Sequence, residues 1–284
     1  MKAIELSTPA EVAAGKTPAR KSALRELIDY RQLIALLVMR ELKVRYKRSV
    51  FGLFWTMLNP LLLMIVYTVV FTTIMPSTQK NFSVFLLSAL LPWIFFSTAL
   101  LQGLNSILAN QELIRKVRVP QAVFPLSVVA SNLVNFTLSM VPLFLIMAAV
   151  RQPFSRALLF LPVSMLLVTV FTSGVTLLLA TFTVFFRDVK HLSEVALQML
   201  MYLSPVLYDL HMLGEHRTWW FRVFRTFLAL NPLSYLLALV REPVYYGRLP
   251  DAATAGTAAA VSLAALLLGF AVFQKLAPRH VHYL

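Results

Sequence analysis

The chain has 284 residues, 59% of them hydrophobic and only 13% charged, with a mean hydropathy of +0.75. A 32.0 kDa globule cannot bury that much apolar side chain, so part of its solvent is lipid. A net charge of +14 on a soluble protein would suggest nucleic acid, but here the basic residues lie between apolar runs, which points to anionic phospholipid and membrane topology, and the lack of cysteine excludes disulfides, thiol catalysis and cysteine-held metal.

The first 22 residues are polar and Ala-rich and read as a disordered lead without the apolar core of a cleaved signal. Over 23–48 the apolar residues Leu24, Leu27, Ile28, Ile34, Val38 and Leu42 recur at three- and four-residue steps, with charged side chains between them. That pattern predicts an amphipathic helix at the membrane surface. Its apolar stretch Leu33–Met39 is too short to span, and Lys43, Arg45, Lys47 and Arg48 end it with charge suited to phospholipid head groups.

Five stretches free of Asp, Glu, Lys and Arg follow: Ser49–Gln79, Asn81–Gln111, Val119–Val150, Ala157–Phe186 and Ala252–Gln274. Each exceeds the roughly 20 residues that a helix needs to cross a bilayer. The shorter runs Val195–Tyr208 and Thr226–Val240 suit re-entrant or interfacial segments, and either one could supply a sixth crossing. Trp55 reads as an interfacial anchor, and Pro60 invites a kink in the first span. Glu112, Leu113 and Ile114, followed by Arg115, Lys116 and Arg118, predict a short mixed helix stopped by Pro120. Between Asp209 and Asp251, Trp and Tyr pairs beside arginines read as two short interfacial or re-entrant helices.

Eleven Lys and Arg precede Ser49, which keeps the N-terminus cytoplasmic; six crossings return the C-terminus to the same side. With Val195–Tyr208 as the fifth crossing, 18 of the 26 basic residues are inside and 8 outside. With Thr226–Val240 instead, the split is 21 to 5, and seven crossings again give 18 to 8. Charge slightly prefers the second arrangement and does not exclude seven crossings.

There is no G-x-x-x-x-G-K-[ST] and no H-E-x-x-H, so the sequence offers neither a P-loop nor a metalloprotease site, and His211, His216, His280 and His282 lack the carboxylate company of a metal centre. The five long runs hold no carboxylate, which argues against an ion-coupled carrier and against a membrane glycosidase. A membrane glycosyltransferase would need a catalytic base and, usually, a metal-binding carboxylate pair. Neither is evident.

The stretch Arg40-Glu-Leu-Lys-Val-Arg45-Tyr46-Lys47, followed by Gly52-x-x-Trp55-x-x-x-Asn59-Pro60-Leu-Leu, resembles the membrane subunit of type-2 ABC exporters for polysaccharides, the group that exports O-antigen, capsule and teichoic acid. Leu113-Ile-Arg-Lys-Val-Arg-Val-Pro120, Phe186-Arg187-Asp188-Val189, Leu203-Ser-Pro205-Val-Leu-Tyr208 and Leu230-Asn-Pro232-Leu agree in order and spacing, so the resemblance runs from about Leu24 to Gln274. It implies an all-α integral membrane protein with spans near 51–75, 84–108, 125–150, 158–186, 191–208 and 252–274, and a gate region over 209–251 with two short outer helices, Trp219, Trp220, Arg222 and Arg225 among its residues. It also implies a bacterial inner-membrane permease with both termini cytoplasmic. Such a subunit is not itself an enzyme and binds no cofactor. It works as two copies beside two nucleotide-binding subunits, which consume ATP-Mg, and its cargo is a lipid-linked glycan.

Placement and mixed polarity make Arg40, Lys43, Arg45, Glu112, Arg115, Lys116 and Arg118 the candidates for coupling to the ATPase. Aromatic faces suit sugar rings. Of Phe51, Phe54, Trp55, Tyr67 and Phe71 on the first span, we take Trp55, Tyr67 and Phe71 as candidate path residues, with Tyr202 and Tyr208 from the fifth. The competing reading within the same transporter class is a permease for a small molecule or lipid.

Overall fold

The computed structural model describes residues 29–47, 49, 51–52, 54–74, 79–117, 119–209, 219–280 and 283, and the elements among them are helical. The lead over 1–22, Leu24, Leu27 and Ile28, together with Arg118 and the start of the gate region over 210–218, lie outside the described residues. In chain order the helices are α1 (Arg31–Tyr46), α2 (Phe54–Val69, prolonged by a π turn over Val70–Ile74), α3 (Phe82–Leu104), α4 (Ser106–Ala109), α5 (Gln111–Lys116), α6 (Val123–Ala149), α7 (Leu161–Phe185, led by a 3-10 turn over Arg156–Phe160), α8 (Asp188–Leu203), α9 (Trp219–Leu230), α10 (Pro232–Arg241, continued by a π turn over Glu242–Tyr246) and α11 (Ala252–His280).

Four of these are long and apolar enough to cross a membrane: α3, α6, α7 with its leading turn, and α11. A fifth is obtained if α9 and α10, bent by 72° at their junction, are taken together. The chain is therefore a multi-pass, all-α membrane protein. The predicted first span becomes α2, which is shorter and runs on through a buried Pro60. The predicted stretch over 191–208 becomes α8. It starts earlier, at Asp188, whose carboxylate suits a helix N-terminus, and it stops at Leu203 because Ser204 precedes Pro205 and turns extended, with ψ 149.

The core is built around α3. Its most apolar stretch is 78% buried, against 22% for α11. Phe95 stacks on Phe136 of α6 at 5.1 Å between ring centroids, and Phe96 meets Phe171 of α7 at 5.7 Å. Lipid gives helices no hydrophobic reason to associate, so close approach has to come from small residues. A Cβ placed on Gly269 of α11 would lie 2.0 Å from the Gly174 carbonyl oxygen of α7, and one on Gly103 of α3 would lie 2.2 Å from Thr176 Cγ2. Several hydroxyls within α7 are satisfied by its own backbone, while buried Thr176 Oγ1 is not. Thr172 donates to the Val168 carbonyl at 2.7 Å and Thr181 to that of Leu177 at 2.9 Å.

The bundle has two ends. At one, α1 lays Leu37, with Leu33 and Ile34, against Val123 and Phe124 at the start of α6. The opposite side of α1 is not purely polar: Leu36 and Met39 are exposed there. His280 closes the same end, fully buried, with Nδ1 2.6 Å from Gln121 Oε1 and its ring between Phe185 and Phe273. At the far end, four connecting segments are tied together by the polar groups described next.

Candidate functional site

Three groups of residues surround this scaffold. The first is a polar track that enters the bundle from the α1 end. Arg40 Nη2 donates to Asn110 Oδ1 at 3.0 Å and to Glu41 Oε1 at 3.1 Å. One turn on, Arg45 donates to Asn132 Oδ1 of α6 at 3.1 Å and to Gln102 Oε1 of α3, while Asn132 Nδ2 donates to the same Gln102 oxygen at 2.9 Å. Arg45 thus stands at the neck between two cavities. One, of about 320 Å³, is lined by Arg40, Gln102, Asn110 and Ser127. The other, of about 270 Å³, reaches between α2, α3 and α6 and is lined by Trp55, Asn59, Asn132, Asn135 and Ser139, with Phe95 and Phe136 as its apolar wall. Ser139 Oγ donates to the Thr56 carbonyl at 3.0 Å, which pins the start of α2 to α6.

The second group is a surface at the α1 end. Helix α5 turns Leu113 and Ile114 onto the cluster that also holds Leu37 of α1, and presents Glu112, Arg115 and Lys116 outward. Lys43 is exposed on α1. One apolar cluster therefore carries both candidate coupling elements.

The third group is a polar knot at the far end. Arg241 is 6% exposed. It donates to the Val206 carbonyl at 2.9 Å and the Tyr208 carbonyl at 3.3 Å, and its guanidinium lies 4.1 Å from the Phe85 ring centre. Asp209 lines the same small cavity and accepts hydrogen bonds from Gln79 Nε2 at 3.0 Å and from the Tyr246 hydroxyl. Gln152 Nε2 donates to the Tyr245 carbonyl at 2.7 Å and Gln152 Oε1 accepts from Asn81 Nδ2 at 2.8 Å. The connections α2–α3, α6–α7 and α8–α9 and the π turn after α10 are thereby joined. A buried charge needs such partners, because leaving one unsatisfied costs several kcal/mol.

The aromatic residues singled out as a substrate path are not gathered in one place within the chain. Trp55 lines the 270 Å³ cavity and is 44% exposed. Tyr67 and Phe71 rest against the main core, with Phe71 5.4 Å from Phe82. Tyr202 projects from α8 at 66% exposure, and the Tyr208 ring meets Phe224 of α9 at 6.0 Å. In the gate region, Trp219 and Trp220 stack at 3.5 Å, and Arg222 and Arg225 are exposed on α9. Sequence reasoning missed Gln102, Asn132, Asp209 and Arg241. The amides lie in runs selected for having no charge, so a search for charge passes over them. Arg241 and Asp209 are separated along the chain and become partners only through the fold. No group of three or more His, Cys, Asp or Glu that could hold a metal occurs among the described residues.

Residues 32–245 match the family described as ABC-2 type transporter. The chain is 40% identical over 254 residues to the O-antigen export system permease protein RfbA of Myxococcus xanthus, covering 89% of this chain and 95% of that protein. It is 31% identical over 212 residues to the O-antigen export system permease protein RfbA of Klebsiella pneumoniae, covering 74% and 79% of the two chains. It is 23% identical over 248 residues to the polysialic acid transport protein KpsM of Escherichia coli, covering 85% and 92%.

Proposed function

The chain belongs to the ABC-2 type transporter family, and from that premise we propose that it is the permease subunit of an ATP-driven exporter that carries a lipid-linked polysaccharide, such as O-antigen or a capsular glycan, across the bacterial inner membrane. The observation that carries this reading is the 40% identity to an O-antigen export permease over 89% of the chain. The chain acts as a transport subunit, and ATP-Mg is consumed by two separate nucleotide-binding subunits.

Six crossings fit the hydrogen bonds best. Helix α8 leaves the end where α7 stops, and the segment after it, 204–209, bonds to Gln79 and Tyr246 at the far end. It therefore runs the depth of the bundle although its sixteen residues are partly polar. Helix α2 with its π turn does the same. Both termini are then cytoplasmic, the α1 end is cytoplasmic and the far end faces outward. Helices α9 and α10 stay near the outer end, since Asn231 bonds to Ser204 and Arg241 to Val206 and Tyr208, which supports a gate role for Trp219, Trp220, Arg222 and Arg225. The chain divides into a lead over 1–22, an interfacial segment over 23–48 and one membrane domain over 49–284. Helices α1 and α5 dock the ATPase through Arg40, Lys43, Glu112, Arg115, Lys116 and Arg118, and Arg45 ties that surface to the bundle interior. Two copies of the chain flank the path, and Trp55, Tyr67, Phe71, Tyr202 and Tyr208 supply its aromatic faces. Weak contacts of about 1 kcal/mol each hold a polymer without arresting it.

The test is deletion of the chain in its host, followed by measurement of surface glycan and of lipid-linked polymer in the inner membrane. Loss of surface polymer with accumulation of the lipid-linked form is the expected result. Normal surface glycan, with an altered lipid or small-molecule profile, would overturn the glycan reading in favour of a small-molecule permease.

A further inference from the structure

Helix α9 differs in build from every other helix around it. At about 100° per residue its side chains fall into three sectors. Phe224 and Leu228 turn inward: Leu228 is buried and Phe224 meets Tyr208. Trp220, Val223, Phe227 and Leu230 form a second stripe, at 67, 56, 38 and 77% exposure, with the Trp219 ring stacked on Trp220 at its start. Arg222 and Arg225, with Thr226, make the third. Neither arginine has a carboxylate within ion-pair distance among the described residues. The helix has 12 residues, about 18 Å of rise, too short for a hydrocarbon core of about 30 Å.

Its attachment is also narrow. The junction with α10 bends by 72° at Asn231 and Pro232. Asn231 caps α10 through Leu233 N at 3.0 Å and donates to Ser204 Oγ at 2.9 Å, and Tyr235 holds the Ala229 carbonyl at 2.8 Å. Beyond that hinge α10 is fixed by Arg241, while α9 reaches away from the core.

We propose that α9 is a flap that reads anionic phospholipid: Trp220, Val223, Phe227 and Leu230 enter the acyl boundary of the outer leaflet, and Arg222 and Arg225 bind the phosphates above it. The inference rests on the outward placement of this end argued above. The occupant follows from the order of the faces. An apolar stripe bordered along one edge by two guanidinium groups that have no carboxylate partner among the described residues matches a surface that is apolar below and negatively charged above. A second copy of a chain that carries +14 would cover the stripe but would bring more positive charge to the arginines. The flap would then follow the charge of the leaflet, while α10 stays with the scaffold.

The experiment uses the full chain with Trp55→Phe and Trp93→Phe, which leaves Trp219 and Trp220 as the only tryptophans, reconstituted in vesicles that contain acyl-brominated phosphatidylcholine or acyl-brominated phosphatidylglycerol at equal bromine content. The expected result is quenching of the tryptophan pair by both lipids, stronger by about two-fold for phosphatidylglycerol, with the difference erased by R222Q/R225Q and the quenching itself retained. A parallel chain that keeps Trp93 and carries Trp219→Phe and Trp220→Phe gives the baseline if the first background folds poorly. Quenching by neither lipid would mean that protein covers the stripe, and equal quenching by both would mean apolar contact alone; either result overturns the proposal. The measurement needs no export, so failure here leaves the glycan reading standing, and failure of that reading leaves this result intact.

Discussion

The scaffold of α3, α7 and α11 and the rim of α2, α8 and α9 both carry long apolar faces and are held in opposite ways. In the scaffold, Gly174 and Gly269 bring backbones into contact, Gly103 makes room for Thr176, and large side chains such as Phe85, Leu86 and Leu177 are sealed. In the rim, Phe54, Leu62, Ile65, Met199, Tyr202 and Trp220 lie exposed, and the fastenings are a few hydrogen bonds at helix ends. Hydrophobicity decides that both regions sit in lipid. Side-chain size decides which one is fixed, because only small residues let helices close on each other where solvent gives no help.

The largest expected effect breaks the scaffold. Gly269→Leu forces α11 away from the Gly174 backbone, and overpacking of this kind costs about 1–3 kcal/mol or more when backbone must move. Thermal unfolding in detergent should show a large fall in Tm and little folded protein, whereas Gly256→Leu, with open space around it, should leave Tm unchanged.

Next in size is the fastening of the far end. Arg241→Ala removes the cation that shares a cavity with buried Asp209, together with its hydrogen bonds to the Val206 and Tyr208 carbonyls, and should lower Tm clearly. The double variant Arg241→Met/Asp209→Asn should recover a good part of the lost Tm in the same assay, because the uncompensated charge is gone.

A smaller effect is expected at the cytoplasmic fastening. Arg45→Ala removes two charge-assisted hydrogen bonds that tie α1 to α3 and α6, one half-buried and one exposed, so water takes over part of what they supply. Substrate-stimulated ATP turnover of the assembled exporter should drop several-fold while the subunit still inserts and assembles. Arg115→Glu with Lys116→Glu should lower the same turnover from the docking side and leave Tm alone.

The smallest effect sharpens the comparison within the rim. Trp55→Ala and Tyr202→Ala remove exposed rings, so they should slow glycan export with Tm unchanged. Tyr67→Ala and Phe71→Ala remove rings packed on the core, so they should lower Tm as well. Export rate and Tm measured on all four variants separate path from packing.

Most of the bundle was legible from runs without charge, since a run such as Ala157–Phe186 has one stable outcome in a bilayer, and α7 with its leading turn occupies it. The depth of α8 was harder to read, because Asp188, Lys190 and Glu194 on its first turns break the pattern that marks a span. It is the bonds of Asp209 that argue for its reach. The site was less legible still. An amide such as Asn132 carries no charge to count, and its meaning comes from Gln102 and Arg45, which approach it from two other helices. The motif around Arg40 and Arg45 falls at the α1 end of the bundle, and which of its side chains stay at the surface and which reach inward depends on the way each one turns.

The far-end knot also has a bearing on biogenesis. The Tyr245 hydroxyl bonds to Gln79, a partner 166 residues earlier in the chain, and Gln79 also donates to Asp209, 130 residues later. During synthesis, the turn between α2 and α3 is therefore made long before these partners and waits for them in solvent. That turn can bond to Gln152 and then to Asp209 as they emerge, and it gains its last fastening only with the π turn that follows α10. A nascent chain stopped before Tyr245 would lack this last bond as well as α11, and its far-end loops should be cut by protease faster than those of the full chain.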